Sequence, residues 1–249
     1  MHSNFMTLCR GPFFDILFSF IIVDNDFLQK GLRMILKMME TGPLMVNTYI
    51  VGDEETKEAA VFDPGGDPDA ILSVAKKEGL KIKYIINTHA HFDHVGGNQE
   101  LQGKTGAPII IHQDEAADLA VAGSRAVMFG CAAEGSSASE FVEEGDTIEV
   151  GSIRFKVVDL RGHSKAGQGF VSEGVIDVNG KREKRKIIIC GDALFSGSIG
   201  RTDFPGGNLD QLLENIRQKI FTLPDNTLVL SGHGPVTTVG REKQHNPFF

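Results

Sequence analysis

The stretch T-H-A-H-F-D-H-V-G-G, residues 88–97, sets three imidazoles and a carboxylate close together: His89, His91, Asp93 and His94. The run before it, I-K-Y-I-I-N at residues 82–87, is rich in Ile and carries a Tyr, so it reads as a strand. V-G-G-N at 95–98 reads as the first turn of a helix. The cluster therefore falls on a short loop at a strand's carboxyl end, where open α/β architectures place their sites. Imidazole and carboxylate together suit zinc, iron or manganese.

Further ligand types appear one at a time along the chain. Gly162-His163 follows a strand-like run at 153–160. Gly191-Asp192 follows K-I-I-I-C at 186–190, which reads as a fully buried strand, and Gly232-His233-Gly234 follows another at 227–230. In each case the ligand-type residue lies just past a strand end, beside a glycine that lets the backbone approach closely. A single strand-end His is more often structural than a ligand. Four such places in one chain argue against coincidence and against a merely His-rich surface loop.

The series H-A-H-F-D-H, G-H-S, G-D-A-L-F and G-H-G resembles the metallo-β-lactamase superfamily. Two longer stretches, F-S-G-S-I-G-R-T-D-F-P-G-G-N at 195–208 and G-H-G-P-V-T-T-V-G-R-E-K-Q-H-N-P-F at 232–248, are similar to single-domain glyoxalase II-like hydrolases. The resemblance runs from about residue 35 to the C-terminus. It implies two divalent metal ions, zinc in the first place, with iron or manganese also tolerated. His89, His91 and His163 would hold one; Asp93, His94 and His233 would hold the other; Asp192 would bridge them. Asp93 and Asp192 would be the carboxylates engaged in catalysis, and Asp63, in V-F-D-P-G-G, would support the metal loop through hydrogen bonds.

Two cations about 3.5–4 Å apart can share a water and lower its pKa from ~15.7 towards ~7. The hydroxide attacks a carbonyl while a metal stabilises the developing oxyanion, and no Ser, Cys or Lys nucleophile is required. A thioester suits such a site, because a thiolate of pKa near ~8.5 departs without a strong general acid. The implied activity is hydrolysis of a thioester such as S-lactoylglutathione. Related readings stay open: lactones and β-lactams suit the same hydroxide, and persulfide dioxygenases of the superfamily use one iron held by two His and one Asp. The complete second set, Asp93, His94 and His233, argues against the mono-iron reading. A non-enzymatic metal-binding protein would be expected to have lost a ligand, and none is lost. Two departures from the family pattern matter. Lys165-Ala166 follows Ser164 where Pro-Gly is usual, which places a cation at the cleft rim. Only 16 residues follow His233, so the helical region that binds glutathione in two-domain relatives is not expected.

At 249 residues the chain is long enough for one α/β domain with a sizeable core. A formal net charge of −8 disfavours a general nucleic-acid binder, phosphodiesterases acting on nucleic acid included. The expected partner is a small-molecule thioester, with no nucleic acid and no stable membrane association. Cys9, Cys131 and Cys190 form no C-x-x-C pair and no even set; Cys190 reads as a small core residue, and a reducing, cytoplasmic compartment is expected. Residues 1–33 have no counterpart in the family pattern and read as an extension ahead of a domain spanning 34–249. Their apolar run, P-F-F-D-I-L-F-S-F-I-I-V at 12–23, is shorter than the ~20 residues of a membrane span. It also lacks a signal-peptide cleavage site. Initiation at Met34 or Met38 is the expected reading.

From residue 38 the pattern is regular. Paired strands are predicted at 45–51 and 59–62, a helix at 67–79 begun by Pro68 and stopped by Gly79, a strand at 108–112 and a helix near 114–122. Residues 130–139 read as a loop bordering the cleft. Residues 209–221 read as an amphipathic helix, with Leu212, Leu213, Ile216 and Ile220 on one face. K-R-E-K-R-K at 181–186 follows Asn179-Gly180 and reads as a solvated hairpin tip. Arg201 and Asp203 are expected to form an ion pair bracing the metal loop. The predicted fold is α/β, an αββα four-layer sandwich of two mixed β-sheets flanked by helices, with the metals at one edge.

Overall fold

The computed structural model describes residues 32–131, 134–178 and 180–249. Strand β2 (Val46–Asp53) is buried along its whole length, as a strand covered on both faces must be. It pairs antiparallel with β1 (Met34–Thr41) and β3 (Glu58–Phe62). Parallel pairing then adds β4 (Lys81–Ile86), β5 (Ile109–Ile111) and β6 (Glu140–Phe141), so the first sheet runs β1-β2-β3-β4-β5-β6. The second comprises β7 (Thr147–Val150), β8 (Ile153–Asp159), β9 (Gln168–Val178), β10 (Lys181–Gly191), β13 (Leu228–Ser231) and β14 (Thr237–Thr238). Its order is β14-β13-β10-β9-β8-β7, and only β10 and β13 pair in parallel. A small hairpin, β11 (Leu194–Phe195) with β12 (Ser198–Ile199), follows β10.

The side-chain period of two explains how three apolar layers arise from these strands. In β10, Ile187 and Ile189 point between the sheets, while Ile188 and Cys190 point to the outer face. Between the sheets, Phe62 of one packs against Phe155 and Phe170 of the other, with ring centroids 5.0 and 5.4 Å apart. On the outside of the first sheet, Ile71 of α1 (Pro68–Lys77), Leu101 of α3 (Asn98–Thr105) and Leu119 of α4 (Ala116–Met128) cover Ile85 and Ile109. The four-residue helix α2 (Phe92–Val95) lies between α1 and α3 in the chain. On the outside of the second sheet, Leu212 of α5 (Leu209–Asn215) and Val239 of α6 (Val239–His245) cover Ile188 and Val229. Helix, sheet, sheet and helix make the four layers that the sequence predicts.

Some elements differ from the expectations. Residues 181–186 belong to β10 rather than to a hairpin tip. The ladder with β9 continues beyond the core, and its charges are matched in place: Arg182 pairs with Glu54 at 2.9 Å and Lys184 with Glu173 at 2.6 Å. The helix expected near 114–122 starts with a 3₁₀ turn at Gln113–Glu115 and continues as α4 to Met128. After Asn215 the late helix widens into a π-type turn, Ile216–Ile220. Leu212, Ile216 and Ile220, four residues apart, are buried there, whereas Leu213 is only partly so. Of the expected 1–33 extension, Leu32 and Arg33 join the sandwich: the Leu32 carbonyl accepts from Val175 N at 2.7 Å and the Arg33 carbonyl from Glu54 N at 3.0 Å. The expectations for the 12–23 run, for Cys9 and for the start site lie outside the described residues. Among those described, no helix is long and apolar enough to cross a membrane.

At the edge opposite the ligand-bearing loops, one carboxylate ties the sheets together. Asp53, at the end of β2, accepts from Ser152 N at 2.6 Å across the gap, and from Glu55 N and Thr56 N on its own side. Burial pushes its carboxyl upward, but these donors, Ser152 foremost, outweigh that and hold the pKa below the usual aspartate value. A depressed carboxylate contributes stability that is present above the unfolded pKa of ~3.9 and lost as pH falls through the folded value. Asp53→Asn should therefore lower stability by about 1–3 kcal/mol at pH 7, since an amide turns a donor toward donors. In denaturant titrations the gap to the wild type should close below about pH 3.9; a gap constant with pH would contradict this account.

Candidate metal centre

Strand β4 ends at Ile86, and the chain enters the 88–94 loop with His91 extended at φ −66 and ψ 141 before α2 begins. His91 thus leaves an extended backbone and Asp93 and His94 a helical one, which lets adjacent residues serve two neighbouring places. From the second sheet, His163 follows β8, Asp192 follows β10 and His233 follows β13. All seven residues singled out in the sequence converge. His91 Nδ1 lies 3.0 Å from His89 Nε2 and 2.9 Å from His163 Nε2. Asp93 Oδ2 lies 3.2 Å from His233 Nε2 and 3.8 Å from His94 Nε2. Asp192 reaches both groups, with Oδ1 3.3 Å from His94 Nε2 and Oδ2 3.6 Å from His163 Nε2.

The outer hydrogen bonds determine which ring nitrogens face inward. His163 Nδ1 donates to the Arg201 carbonyl at 2.7 Å, and His94 Nδ1 to Asp63 Oδ2 at 3.0 Å. Thr88 Oγ1 donates to Asp63 Oδ2 at 2.7 Å, so its lone pair accepts from His89 Nδ1 at 3.0 Å. A neutral imidazole protonated at Nδ1 presents a lone pair at Nε2. The Nε2 atoms of His89 and His163 both face His91 Nδ1, which can donate to only one of them. His94 Nε2 and Asp192 Oδ1 are buried without a hydrogen-bond partner although they face each other. Lone pairs and carboxylate oxygens gathered this way need a cation to satisfy them, and the donor set fits zinc, iron or manganese. His89, His91 and His163 could hold one ion, and Asp93, His94 and His233 another; His89, His94 and Asp192 form a third compact grouping that joins the two.

Charge divides the cluster in the same way. Burial, and then the neighbouring imidazoles, push His89 and His91 well down, so both are neutral at pH 7. Burial also opposes charge on His94, but Asp192, Asp93 and Asp63 together raise its pKa. Burial disfavours the ionised form of Asp192, yet His94 and the other imidazoles hold it far below the usual carboxylate range. One half of the cluster thus holds the neutral imidazoles of His89 and His91, and the other is carboxylate-rich and calls for positive charge.

Close approach makes glycine necessary at two positions. Gly191 has φ 48, and a Cβ there would lie 2.3 Å from Thr88 Oγ1; a Cβ on Gly232 would lie 2.2 Å from Asp192 Oδ1. Other supports escape a motif-based reading. Asn47 Nδ2 donates to the carbonyls of Ser231 and Gly234, and Tyr49 Oη to that of Ser231, so β2 of the first sheet holds the loop carrying His233. Glu115 is buried and accepts from Ala90 N at 3.1 Å and Ala166 N at 2.9 Å, which clamps the first metal loop to the His163 loop. For Asn47 the sequence offered only an amide within a strand-like run, with nothing to indicate its partner. Arg201 and Asp203 do pair, twice at 2.7 Å, but the brace to the metal loop runs through the Arg201 carbonyl rather than its side chain.

A cleft of about 570 Å³ opens beside the cluster, with His91, Asp93, His163 and Asp192 in its wall. Residues 130–139 were expected to border it, but none of those described there does; Met128 at the end of α4 and the adjoining Phe129 do. Ser136 of that loop is instead buried against Asn98. Asp63→Asn tests the support of the cluster directly: one oxygen accepts from Thr88 N and the other from Thr88 Oγ1 and His94 Nδ1, and an amide can accept at only one of these two positions. Metal content after dialysis against a chelator should show affinity lowered by about 10–100-fold, and wild-type retention would overturn the role given to Asp63.

Comparison with known proteins agrees with this geometry. Residues 41–233 match the family model of the metallo-beta-lactamase superfamily. The chain is 38% identical to the probable metallo-hydrolase YqgX of Bacillus subtilis, covering 85% of this chain and 96% of that protein. It is 32% identical to the hydroxyacylglutathione hydrolase GloC of Haemophilus influenzae, covering 81% and 92%. Among solved structures it is similar to the BLEG-1 B3 metallo-beta-lactamase, with TM-score 0.74, 34% identity and coverage of 86% and 98%. TTHA1623 in a di-iron-bound form gives 0.73, 33%, 86% and 100%. ETHE1 from Myxococcus xanthus gives 0.70, 30%, 86% and 84%. This chain belongs to the metallo-β-lactamase superfamily.

Proposed function

We propose that this protein is a binuclear metallohydrolase that cleaves thioesters of the S-lactoylglutathione type. The observation that carries the reading is that both ligand groups are complete and meet at Asp192, whose two oxygens face His94 and His163. The likeness to GloC supports the thioester, and the di-iron form of TTHA1623 supports a pair of metals. When bound, the two ions supply a water of lowered pKa and a Lewis acid for the carbonyl oxygen.

The chain's own contribution is placement. Thr88, Asp63 and the Arg201 carbonyl engage the outer Nδ1 atoms of His89, His94 and His163, so each Nε2 faces the metal positions. Asp93 and Asp192 are ionised at neutral pH and supply the anionic charge of the site. Phe92, Met128, Phe129 and Phe204 give the cleft an apolar wall against which the substrate can pack. No side-chain nucleophile is called for: Cys190 is buried behind Asp192, and burial pushes its thiol up to about 12. Cys131 and Cys190 are free, in keeping with a cytoplasmic protein.

A mono-iron dioxygenase is the second reading, favoured by the likeness to ETHE1; a lactamase activity would follow the likeness to BLEG-1. Loss of thioester absorbance from S-lactoylglutathione, with metals assayed in the same sample, separates them. Two metals per chain with hydrolysis are expected. One iron per chain with oxygen uptake on a persulfide would replace the proposal. Asp192→Ala should bring hydrolysis to background and lower metal content, while His163→Ala and His233→Ala should each lose one metal and most activity. Near-normal turnover by Asp192→Ala would defeat the binuclear model.

A further inference from the structure

Among the described residues three side-chain cations line the cleft, Arg125, Lys165 and Arg201, and they are paired unequally. Arg201 has Asp203 to itself, bound through both oxygens. Lys165 and Arg125 share a single carboxylate: Lys165 Nζ lies 2.5 Å from Asp118 Oδ2, and Arg125 Nη2 bonds Asp118 Oδ1. Among the described residues Asp118 is the only carboxylate within ion-pair distance of either cation. Two cations thus share one carboxylate as their ion-pair partner. An ammonium has three donors and a guanidinium five, so most of their donors are not used by Asp118. The cations are also the more open partners, 39% and 43% exposed against 21% for Asp118. Glu115 is a second carboxylate of the same cleft, but its two oxygens accept from the backbone amides of Ala90 and Ala166, and it lies outside ion-pair distance of both cations.

The base of Lys165 is rigid. It lies two residues from His163, the next amide is held by Glu115, and Gly206 packs so close that a Cβ there would stand 2.9 Å from Lys165 Cβ. Arg125 comes from the last turns of α4, which also carries Met128. Beside them, Phe92 and Phe129 stack with centroids 5.2 Å apart and planes 22° from parallel. The cleft therefore has a metal-ligand end, apolar walls and, where Lys165 enters, two cations that share a single ion-pair partner.

We propose that Lys165 and Arg125 form an oxyanion subsite that holds a carboxylate or phosphate remote from the reacting carbonyl, so that the enzyme selects thioesters with an anionic tail. The substrate class rests on the hydrolase reading above, whereas the binding of anions does not. The test uses the metal-loaded protein and thioethers that cannot be hydrolysed: S-methylglutathione, its diethyl ester, and S-methyl-4′-phosphopantetheine, each titrated by calorimetry. The wild type should bind the anionic ligands more tightly than the ester. Lys165→Met should weaken the anionic ligands by about tenfold, as loss of a charge-assisted bond does, and leave the ester unchanged. Arg125→Gln, on the open part of α4, should act in the same direction. Asp118→Asn removes the competing carboxylate and should tighten anion binding, a sign that a purely structural ion pair would not produce. Whichever anionic ligand loses more on Lys165→Met identifies the tail as carboxylate or phosphate. The subsite is overturned if the wild type does not prefer the anionic ligands, if Lys165→Met leaves their affinity unchanged, or if Asp118→Asn weakens them. Selective anion binding without any thioester hydrolysis would defeat the thioesterase proposal and leave the subsite standing.

Discussion

The Asp63 carboxylate is the interaction on which the centre depends. Buried at the end of β3, it accepts from Thr88 N, Thr88 Oγ1 and His94 Nδ1. Through the Thr88 hydroxyl it also orients His89. One side chain thereby sets the protonated nitrogen of an imidazole in each ligand group. Its backbone sits at φ 48, a left-handed conformation that Asp tolerates better than most residues. The strain turns the carboxylate out of the β3 ladder and into the loop after β4, and three hydrogen bonds to a charged acceptor offset it.

Burying so many ionisable groups would be costly if they were not mutually arranged. Asp63, Asp93 and Asp192 are all at most slightly exposed, and each faces at least one imidazole. Carboxylate desolvation is offset locally, but the balance is incomplete, because His94 Nε2 and Asp192 Oδ1 lack hydrogen-bond partners. The same incompleteness that would destabilise an ordinary core makes this one receptive to divalent cations. Stability is supplied elsewhere, by the three apolar layers and by the Asp53 clamp at the far edge of the sandwich.

The two sheets have unequal parts in the site. The first contributes His89, His91, Asp93 and His94 from one loop, together with Asp63, Asn47 and Tyr49 as supports. The second contributes single residues from three strand ends, each requiring its own glycine or clamp. Glu115 and Asn47 cross between these contributions, so the ligand positions are tied to the packing of the whole sandwich rather than to any one loop. The cleft inherits this rigidity on its polar side, where Lys165 follows the His163 loop, while α4 supplies an apolar wall at Met128 and Phe129.

The ligand residues were legible in the sequence because each sits at a strand end beside a glycine or inside H-A-H-F-D-H, a pattern set by local backbone requirements. The buried strands were legible for the same reason, since side-chain period two and continuous apolar runs are local properties. What crosses between elements was not. Nothing near Asn47, Tyr49 or Glu115 in the chain announces a partner more than fifty residues away for the first two, or the clamp made by the third, because those bonds exist only once the sheets stack. Likewise K-R-E-K-R-K looks like a turn tip until β9 and Glu54 provide its partners. Lys165 was visible as a departure from the family pattern, but its sharing of Asp118 with Arg125 was decided by how α4 packs beside the His163 loop. The sequence by itself determined which residues could bind metal and which strands would be buried; the tertiary structure alone decided which nitrogens face inward and which cations share a partner, because both depend on hydrogen bonds and ion pairs between distant segments.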